Sequence, residues 1–368
     1  MRRLVALALG GGQKFVAELQ RAWDAGDAVL PVDQRLPQPA QQQLVAEMGA
    51  AVVVDETGRR RVGGGRPVEG GDALVMATSG STGEPKGAVL THDAIAAAAF
   101  AVSGALEVDQ ADDRWLACLP LAHVAGLAVV VRSLLTDTPL EVHDGFDADA
   151  VADAAARGAT LTSLVPTVLA RIDAAAFRLV LVGGAAVPVE RPANVVATYG
   201  LTETFGGVVY DGAPLDGVGL RVVDGEVQLR GAMVLRCYRD GTDPLTPDGW
   251  LPTGDAGELS PDGRLSVFGR RGEMIVSGGE NVWPVAVERA LAGAGGVAEC
   301  AVVGRPHPEW GAVVTAVVVP ADAADPPQLD ALRDHVKQTL PAYCAPHALE
   351  LVPRLARTAL GKVQRRLL

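Results

Sequence analysis

Ten consecutive residues, Thr78-Ser79-Gly80-Ser81-Thr82-Gly83-Glu84-Pro85-Lys86-Gly87, constrain this chain more than any other stretch. Upstream, Ala73-Leu74-Val75-Met76-Ala77 reads as a buried strand; downstream, Ala88-Val89-Leu90 is apolar again, and Thr91 stands where it would cap a helix starting near His92. Glycine lets backbone N–H groups turn toward a ligand, the four hydroxyls donate, and the lysine adds positive charge. That is the chemistry a polyphosphate needs. The G-x-x-x-x-G-K-[ST] spacing of a Walker A loop is absent. A flexible turn with a surface lysine would account for one or two such residues, but not for the whole run.

The 368 residues leave room for two domains and a large core. At 49% hydrophobic and 21% charged the composition is globular, and 43 glycines with 24 prolines call for many loops. A formal charge of -12 argues against nucleic acid or an anionic membrane surface as partner, while local basic residues can still hold an anionic substrate. Cys118, Cys237, Cys300 and Cys344 stand far apart without a C-x-x-C pair, so neither a zinc cluster nor a disulfide framework is indicated. Met1-Arg2-Arg3 before an apolar run imitates a signal peptide, but the run is short and no small-residue cleavage site precedes Lys14. Apolar stretches such as 127–131 are also too short to span a bilayer. A soluble, cytoplasmic protein without membrane insertion is expected.

Periodicity predicts helices over 15–25 and 41–48 and strands over 28–32 and 50–54 in a region offering little chemistry. Beyond the ten-residue loop it predicts helices at 94–106, 151–157 and 167–173, and strands at 114–118, 160–165, 179–182 and 194–198. This β/α alternation specifies a parallel sheet. Asp224-Gly225 interrupts alternating apolar residues over 219–230, a hairpin signal marking a change to antiparallel pairing; another strand follows at 265–268. Residues 271–368 read as a small α+β domain with helices at 283–291 and 329–340 and strands at 299–303 and 313–319. The domains are accordingly placed at 1–270 and 271–368.

Single residues carry less on their own. His123, between Pro120-Leu121 and an apolar helix, reads as a hydrogen-bonded core histidine when taken alone. Arg132 interrupts an apolar helix and is costly there unless an anion is supplied. It either reaches the surface or an acidic partner, or clamps a substrate carboxylate. Gly183-Gly184-Ala185 ends the strand at 179–182, where the flat face of a nucleotide can approach backbone.

The loop 78–87 resembles the signature loop of the adenylate-forming enzymes, which include acyl-CoA ligases, adenylation domains and luciferases. Further stretches resemble that family's motifs in order: Pro120-Leu121-Ala122-His123-Val124-Ala125-Gly126, Tyr199-Gly200-Leu201-Thr202-Glu203, Thr253-Gly254-Asp255, Pro341-Ala342-Tyr343, and a tail from Pro353 to Gly361-Lys362. The resemblance implies an α/β fold: a large N-terminal domain of mixed β/α sheets with a small β-barrel subdomain, and a small mobile α+β C-terminal domain. It implies that Thr78, Ser79, Gly80, Ser81, Thr82, Gly83 and Lys86 hold the leaving phosphates and that His123 borders the carboxylate substrate. In the same way Gly184, Ala185, Tyr199 and Gly200 would lie along the nucleotide, Thr202 would touch the α-phosphate, and Glu203 would hold Mg²⁺. Asp255 would accept from the ribose hydroxyls, Arg270 would contact ribose or phosphate, and Gly272 would be the hinge. Gly278 and Gly279 would face the thiol tunnel, and Lys362 would reach the carboxylate and α-phosphate. Arg365 and Arg366 are expected in solvent, and Cys237 has no assigned role. Relative to the family the segment before the loop is short.

The implied reaction consumes ATP, a carboxylic acid and coenzyme A, and releases pyrophosphate and AMP. Compactness, the short leader, His123 and Arg132 most resemble the o-succinylbenzoate–CoA ligases of menaquinone (vitamin K2) biosynthesis. Another aryl- or acyl-CoA ligase, a stand-alone adenylation domain loading a carrier protein, and a nucleotide-binding regulator without catalysis are the alternatives. A homodimer is compatible with this reading.

Overall fold

A helix between two strands of one sheet returns the chain in its original direction, so the β/α alternation of the first half builds parallel pairs. The computed structural model describes residues 2–79, 85–188, 190–357 and 363–368. In it, Leu4–Leu7 lies parallel to Ala28–Pro31 and to Val52–Asp55, and Ala28–Pro31 lies parallel to Asp72–Ser79. Pro85–Thr91 turns back antiparallel on Asp72–Ser79 and pairs Lys86 with Thr78. The first sheet has seven strands, in the order Cys237–Tyr238, Pro85–Thr91, Asp72–Ser79, Ala28–Pro31, Leu4–Leu7, Val52–Asp55, Gly58–Arg61. Periodicity gives no hint of the last strand, whose residues Gly-Arg-Arg-Arg are all exposed. Charge on an outermost strand discourages pairing with a second chain.

The second sheet also has seven strands, ordered Ala213–Pro214, Gly206–Tyr210, Val195–Leu201, Leu179–Val182, Leu161–Leu164, Trp115–Ala117, Leu140–Val142. Its middle strands are parallel, and Gly206–Tyr210 is antiparallel to Val195–Leu201. The strand expected at 194–198 therefore continues through Tyr199, Gly200 and Leu201 because a hairpin partner satisfies its backbone. His92–Ala105 is helical, and Thr91 caps it by accepting from the Ala94 amide at 3.1 Å. The helix expected at 167–173 contracts to Pro166–Leu169. The segment expected to form a small barrel is a four-stranded sheet ordered Gly219–Val223, Glu226–Arg230, Leu251–Leu259, Leu265–Arg270.

The chain divides into two compact units: 1–221 with 228–252 and 261–265, and 222–227 with 253–260 and 266–368. In the first, Leu4, Leu30 and Val75 belong to one apolar cluster and Leu116, Leu164 and Val182 to another. In the second, the helices Pro284–Leu291 and Leu329–Val336 bury Val287, Leu291, Leu332 and Val336 with Val302, Val314 and Val318 of the long strands Val297–His307 and Gly311–Pro320. Each such side chain contributes about 1.5–3 kcal/mol on leaving water. The helix expected to run to 340 stops at Val336, and a strand that periodicity did not reveal, Ala348–Leu351, adds parallel to Gly311–Pro320. Among the described residues no helix is long and apolar enough to cross a membrane.

Candidate active site

Lys86 stands on a strand of the first sheet and Glu203 in a turn that follows a strand of the second, and a residue that no motif singled out contacts both. Thr202, Glu203 and Thr204 form a single 3-10 turn after Leu201. Thr204 is fully buried; its hydroxyl accepts from the Leu201 amide at 3.0 Å and lies 2.9 Å from the Gly206 carbonyl oxygen, to which it donates. This locks the turn and leaves Glu203 projecting from it. The Tyr238 hydroxyl donates to Glu203 Oε1 at 2.9 Å, and Lys86 Nζ lies 5.0 Å from the centre of the Tyr238 ring. Thr78 donates through its hydroxyl to the Lys86 carbonyl at 3.2 Å. The first unit thus presents a lysine, a carboxylate and hydroxyls side by side. Of the phosphate-loop residues, Thr78 and Lys86 are described and Ser79 is placed in the strand; Gly80, Ser81, Thr82 and Gly83 lie outside the described residues, as does Lys362.

The strand ends that flank this turn approach closely. At Gly200 an added Cβ would stand 1.9 Å from the Gly206 carbonyl oxygen, and the ladder shifts register between Tyr199 and Gly200. Tyr199 lies opposite Val209 in the same hairpin. Gly184 and Ala185 are exposed beyond the strand Leu179–Val182, with Gly184 at φ +79°.

His123 is the residue before the helix Val124–Leu135. Its Nε2 lies 3.0 Å from Asp33 Oδ2 and 2.9 Å from Arg35 Nη2, while Arg35 also pairs with Asp33 at 2.8 Å. Burial alone would raise the Asp33 carboxyl, but hydrogen bonds from His123 and Arg35 outweigh it and hold Asp33 well below the ordinary carboxylate value. The region expected to offer little chemistry therefore supplies two charged groups to a predicted site residue. Asp33 follows the strand Ala28–Pro31, at the carboxyl end of a parallel sheet, where ligands gather in open α/β folds.

Arg132 takes neither of the ordinary escapes. It is 6% exposed, its Nε and Nη1 have no hydrogen-bond partner among the described residues, and its guanidinium lies 4.7 Å from the Trp115 ring centre. Burial lowers its pKa, with the Tyr210 hydroxyl acting in the opposite direction, and burial pushes that phenol up to about 12. Arg132 stands nine positions after His123, about 13 Å along the axis, so the two are not immediate neighbours.

In the second unit Asp255 is 7% exposed and Arg270 Nε reaches its Oδ1 at 3.1 Å, while Arg270 Nη1 donates to the Thr253 carbonyl at 2.8 Å. Gly278 and Gly279 form the two-residue turn between Ile275–Ser277 and Glu280–Val282, both with positive φ. A Cβ on Gly278 would strike the Trp310 ring at 2.6 Å. Gly272 lies in the 3-10 turn Arg271–Glu273, with open space where a Cβ would stand and no positive φ; glycine is not required by this conformation. Arg365, expected in solvent, pairs instead with Glu273 at 2.6 Å and Glu288 at 2.7 Å, and Arg366 is exposed. Two carboxylates close to one another attract a single guanidinium more strongly than water does.

The residues fit a magnesium–nucleotide complex. Among the described residues no group of three or more histidine, cysteine or acidic side chains is assembled that could hold a metal ion. A single carboxylate beside hydroxyls and a lysine suits Mg²⁺, which keeps few protein ligands and draws the rest from phosphate and water.

Comparison with known proteins gives this arrangement a family. Residues 65–239 match the model of the AMP-binding enzyme family and 286–362 that of the AMP-binding enzyme C-terminal domain. The chain belongs to the AMP-binding, adenylate-forming enzymes. It is 40% identical to a probable 2-succinylbenzoate–CoA ligase of Mycobacterium tuberculosis (strain CDC 1551 / Oshkosh), over 89% of this chain and 92% of that one. It is 34% identical to the indoleacetate–CoA ligase of Aromatoleum aromaticum, over 96% and 76%. The o-succinylbenzoate CoA synthetase of Bacillus subtilis, solved in complex with the acyl-adenylate intermediate, superposes with a TM-score of 0.89 at 26% identity, covering 100% of this chain and 88% of that one.

Proposed function

We propose that this protein is an ATP-dependent acid–CoA ligase that converts 2-succinylbenzoate to 2-succinylbenzoyl-CoA, a step of menaquinone biosynthesis. The observation that carries the reaction class is the linked set Lys86, Tyr238 and Glu203 beside the strand ends that flank the phosphate loop. In the first half-reaction a carboxylate oxygen attacks the α-phosphorus of ATP and the bond to pyrophosphate breaks. Thr78, Ser79, Gly80, Ser81, Thr82, Gly83 and Lys86 hold the leaving phosphates, while Gly184, Ala185, Tyr199 and Gly200 border the nucleotide. Thr202 contacts the α-phosphate, and Glu203 would hold Mg²⁺, which neutralises phosphate charge when bound. Asp255 and Arg270 serve the ribose side, and Lys362 stabilises charge on the carboxylate and α-phosphate as it develops. In the second half-reaction the CoA sulfur attacks the acyl carbon and AMP leaves, with Gly278 and Gly279 at the thiol entrance. The functional domains divide at 270/271, and Gly272 is the pivot. The chain needs no nucleophile of its own, only position and charge.

Two observations support the choice of acid. One is the 40% identity to a chain named for 2-succinylbenzoate. The other is Arg132, a buried guanidinium whose Nε and Nη1 have no partner among the described residues; a second substrate carboxylate would supply the missing anion, and His123 would border the same acid. The identity to an indoleacetate–CoA ligase favours, as second reading, an aromatic monocarboxylate. The protein acts in the cytoplasm, and this reading is compatible with a homodimer. The test is release of AMP and pyrophosphate with 2-succinylbenzoate, indoleacetate, benzoate and medium-chain fatty acids, with and without CoA. Turnover confined to 2-succinylbenzoate with CoA is expected, and Arg132→Leu should harm that acid far more than a monocarboxylate. Faster turnover of a monocarboxylate would discard the substrate and keep the mechanism.

A further inference from the structure

We propose that Tyr238 is a positioning residue for the metal-binding carboxylate, fixing Glu203 through its hydroxyl while its ring seats Lys86. The inference rests on the reading of Glu203 as the Mg²⁺ ligand. The segment 235–238 grips the turn twice: the Leu235 amide donates to the Glu203 carbonyl at 2.7 Å, and the Tyr238 hydroxyl donates to Glu203 Oε1 at 2.9 Å. The segment is itself rigidly mounted. Cys237 and Tyr238 pair with Val89 and Ala88 of the strand that carries Lys86. Arg236 binds Asp72 through Nε and Nη2, both at 3.0 Å, at the start of the adjoining strand. An O–H donor on one carboxylate oxygen fixes the plane of the group. Among the described residues Oε2 has no partner, so one oxygen remains for a metal. Outer-shell partners of this kind typically govern metal affinity by about 10–100-fold. The same ring lies under Lys86 Nζ, a cation–π contact that ties the ammonium to the residue whose hydroxyl holds the carboxylate.

Tyr238→Phe keeps the ring and removes only the donor; Tyr238→Leu removes both. The experiment measures Mn²⁺ binding, by electron paramagnetic resonance, to the full-length protein with a non-hydrolysable ATP analogue, and analogue binding without metal by calorimetry. Tyr238→Phe is expected to weaken Mn²⁺ binding about 10-fold or more with metal-free nucleotide affinity unchanged. Tyr238→Leu is expected to weaken both. Glu203→Gln is the control for the underlying reading. If it leaves Mn²⁺ binding intact, Glu203 is not the ligand and the proposal falls with it. If Glu203→Gln impairs Mn²⁺ binding and Tyr238→Phe does not, the proposal alone is overturned. Equal loss of metal and metal-free nucleotide binding in Tyr238→Phe would show a merely structural role and also overturn it.

Discussion

Asp33 concentrates two interactions on one nearly buried carboxylate, accepting from Arg35 and standing 3.0 Å from His123 Nε2. Hydrogen bonds to a charged group stabilise by about 1.5–3 kcal/mol each when the alternative is a buried, unsatisfied partner. Asp33→Asn should therefore cost about 1–3 kcal/mol at pH 7 and loosen His123. The sign with pH follows from the depressed pKa of Asp33 in the folded chain. Its contribution is complete above the ordinary carboxylate value of about 4 and is lost as pH falls toward the lower folded value. Urea unfolding of wild type and variant from pH 7 to pH 3 should show the gap closing on the acid side. A gap that stays constant would mean that the carboxylate charge is not its source.

A hairpin, rather than any single side chain, aims Glu203. The strands Val195–Leu201 and Gly206–Tyr210 meet at a register shift where Gly200 touches the Gly206 carbonyl. Gly200→Ala must push these strands apart, and the turn between them carries Thr202 and Glu203. Displacements of about 1 Å at a positioning element can cost about 10²-fold in rate, and kcat/KM for ATP should fall on that order while the fold persists. Gly272→Ala is the contrast, because nothing crowds its Cβ and its φ is not positive. Its equilibrium stability should stay within about 0.5 kcal/mol of wild type, as read by chemical denaturation. Any larger loss would require a crowding that the structure does not contain. Sequence reading located these glycines as parts of motifs, yet only the pairing of strands distinguishes the one that is sterically required from the one that is not.

For the molecule as a whole, the base of the C-terminal tail is held from two sides. Arg357 pairs with Val363 across an isolated bridge and with Glu299 at 2.6 Å, while Arg365 is shared by Glu273 and Glu288. Lys362 falls between these anchors in sequence. If its charge serves only the adenylation step, Lys362→Ala should slow acyl-adenylate formation by about 10²–10³-fold and leave thioester formation from preformed acyl-adenylate nearly intact. Single-turnover assays of the two half-reactions separate these, and equal losses would refute the division of labour. The fold class, the β/α alternation, the helix cap at Thr91 and the order of the motifs were legible from residues alone, because each depends on spacing within a few turns of chain. Three contacts were not. Asp33 and His123 are separated by 90 residues, Tyr238 and Glu203 by 35, and Arg365 and Glu273 by 92. No local pattern encodes such pairs, since a tyrosine or aspartate on a strand looks the same whether it faces water or a distant carboxylate. By itself the sequence determined which chemical groups this protein possesses and the elements that carry them. Which groups touch was decided only when strand order brought remote segments side by side, because hydrogen bonds act over about 3 Å while sequence periodicity records only the direction in which each side chain leaves its own strand or helix.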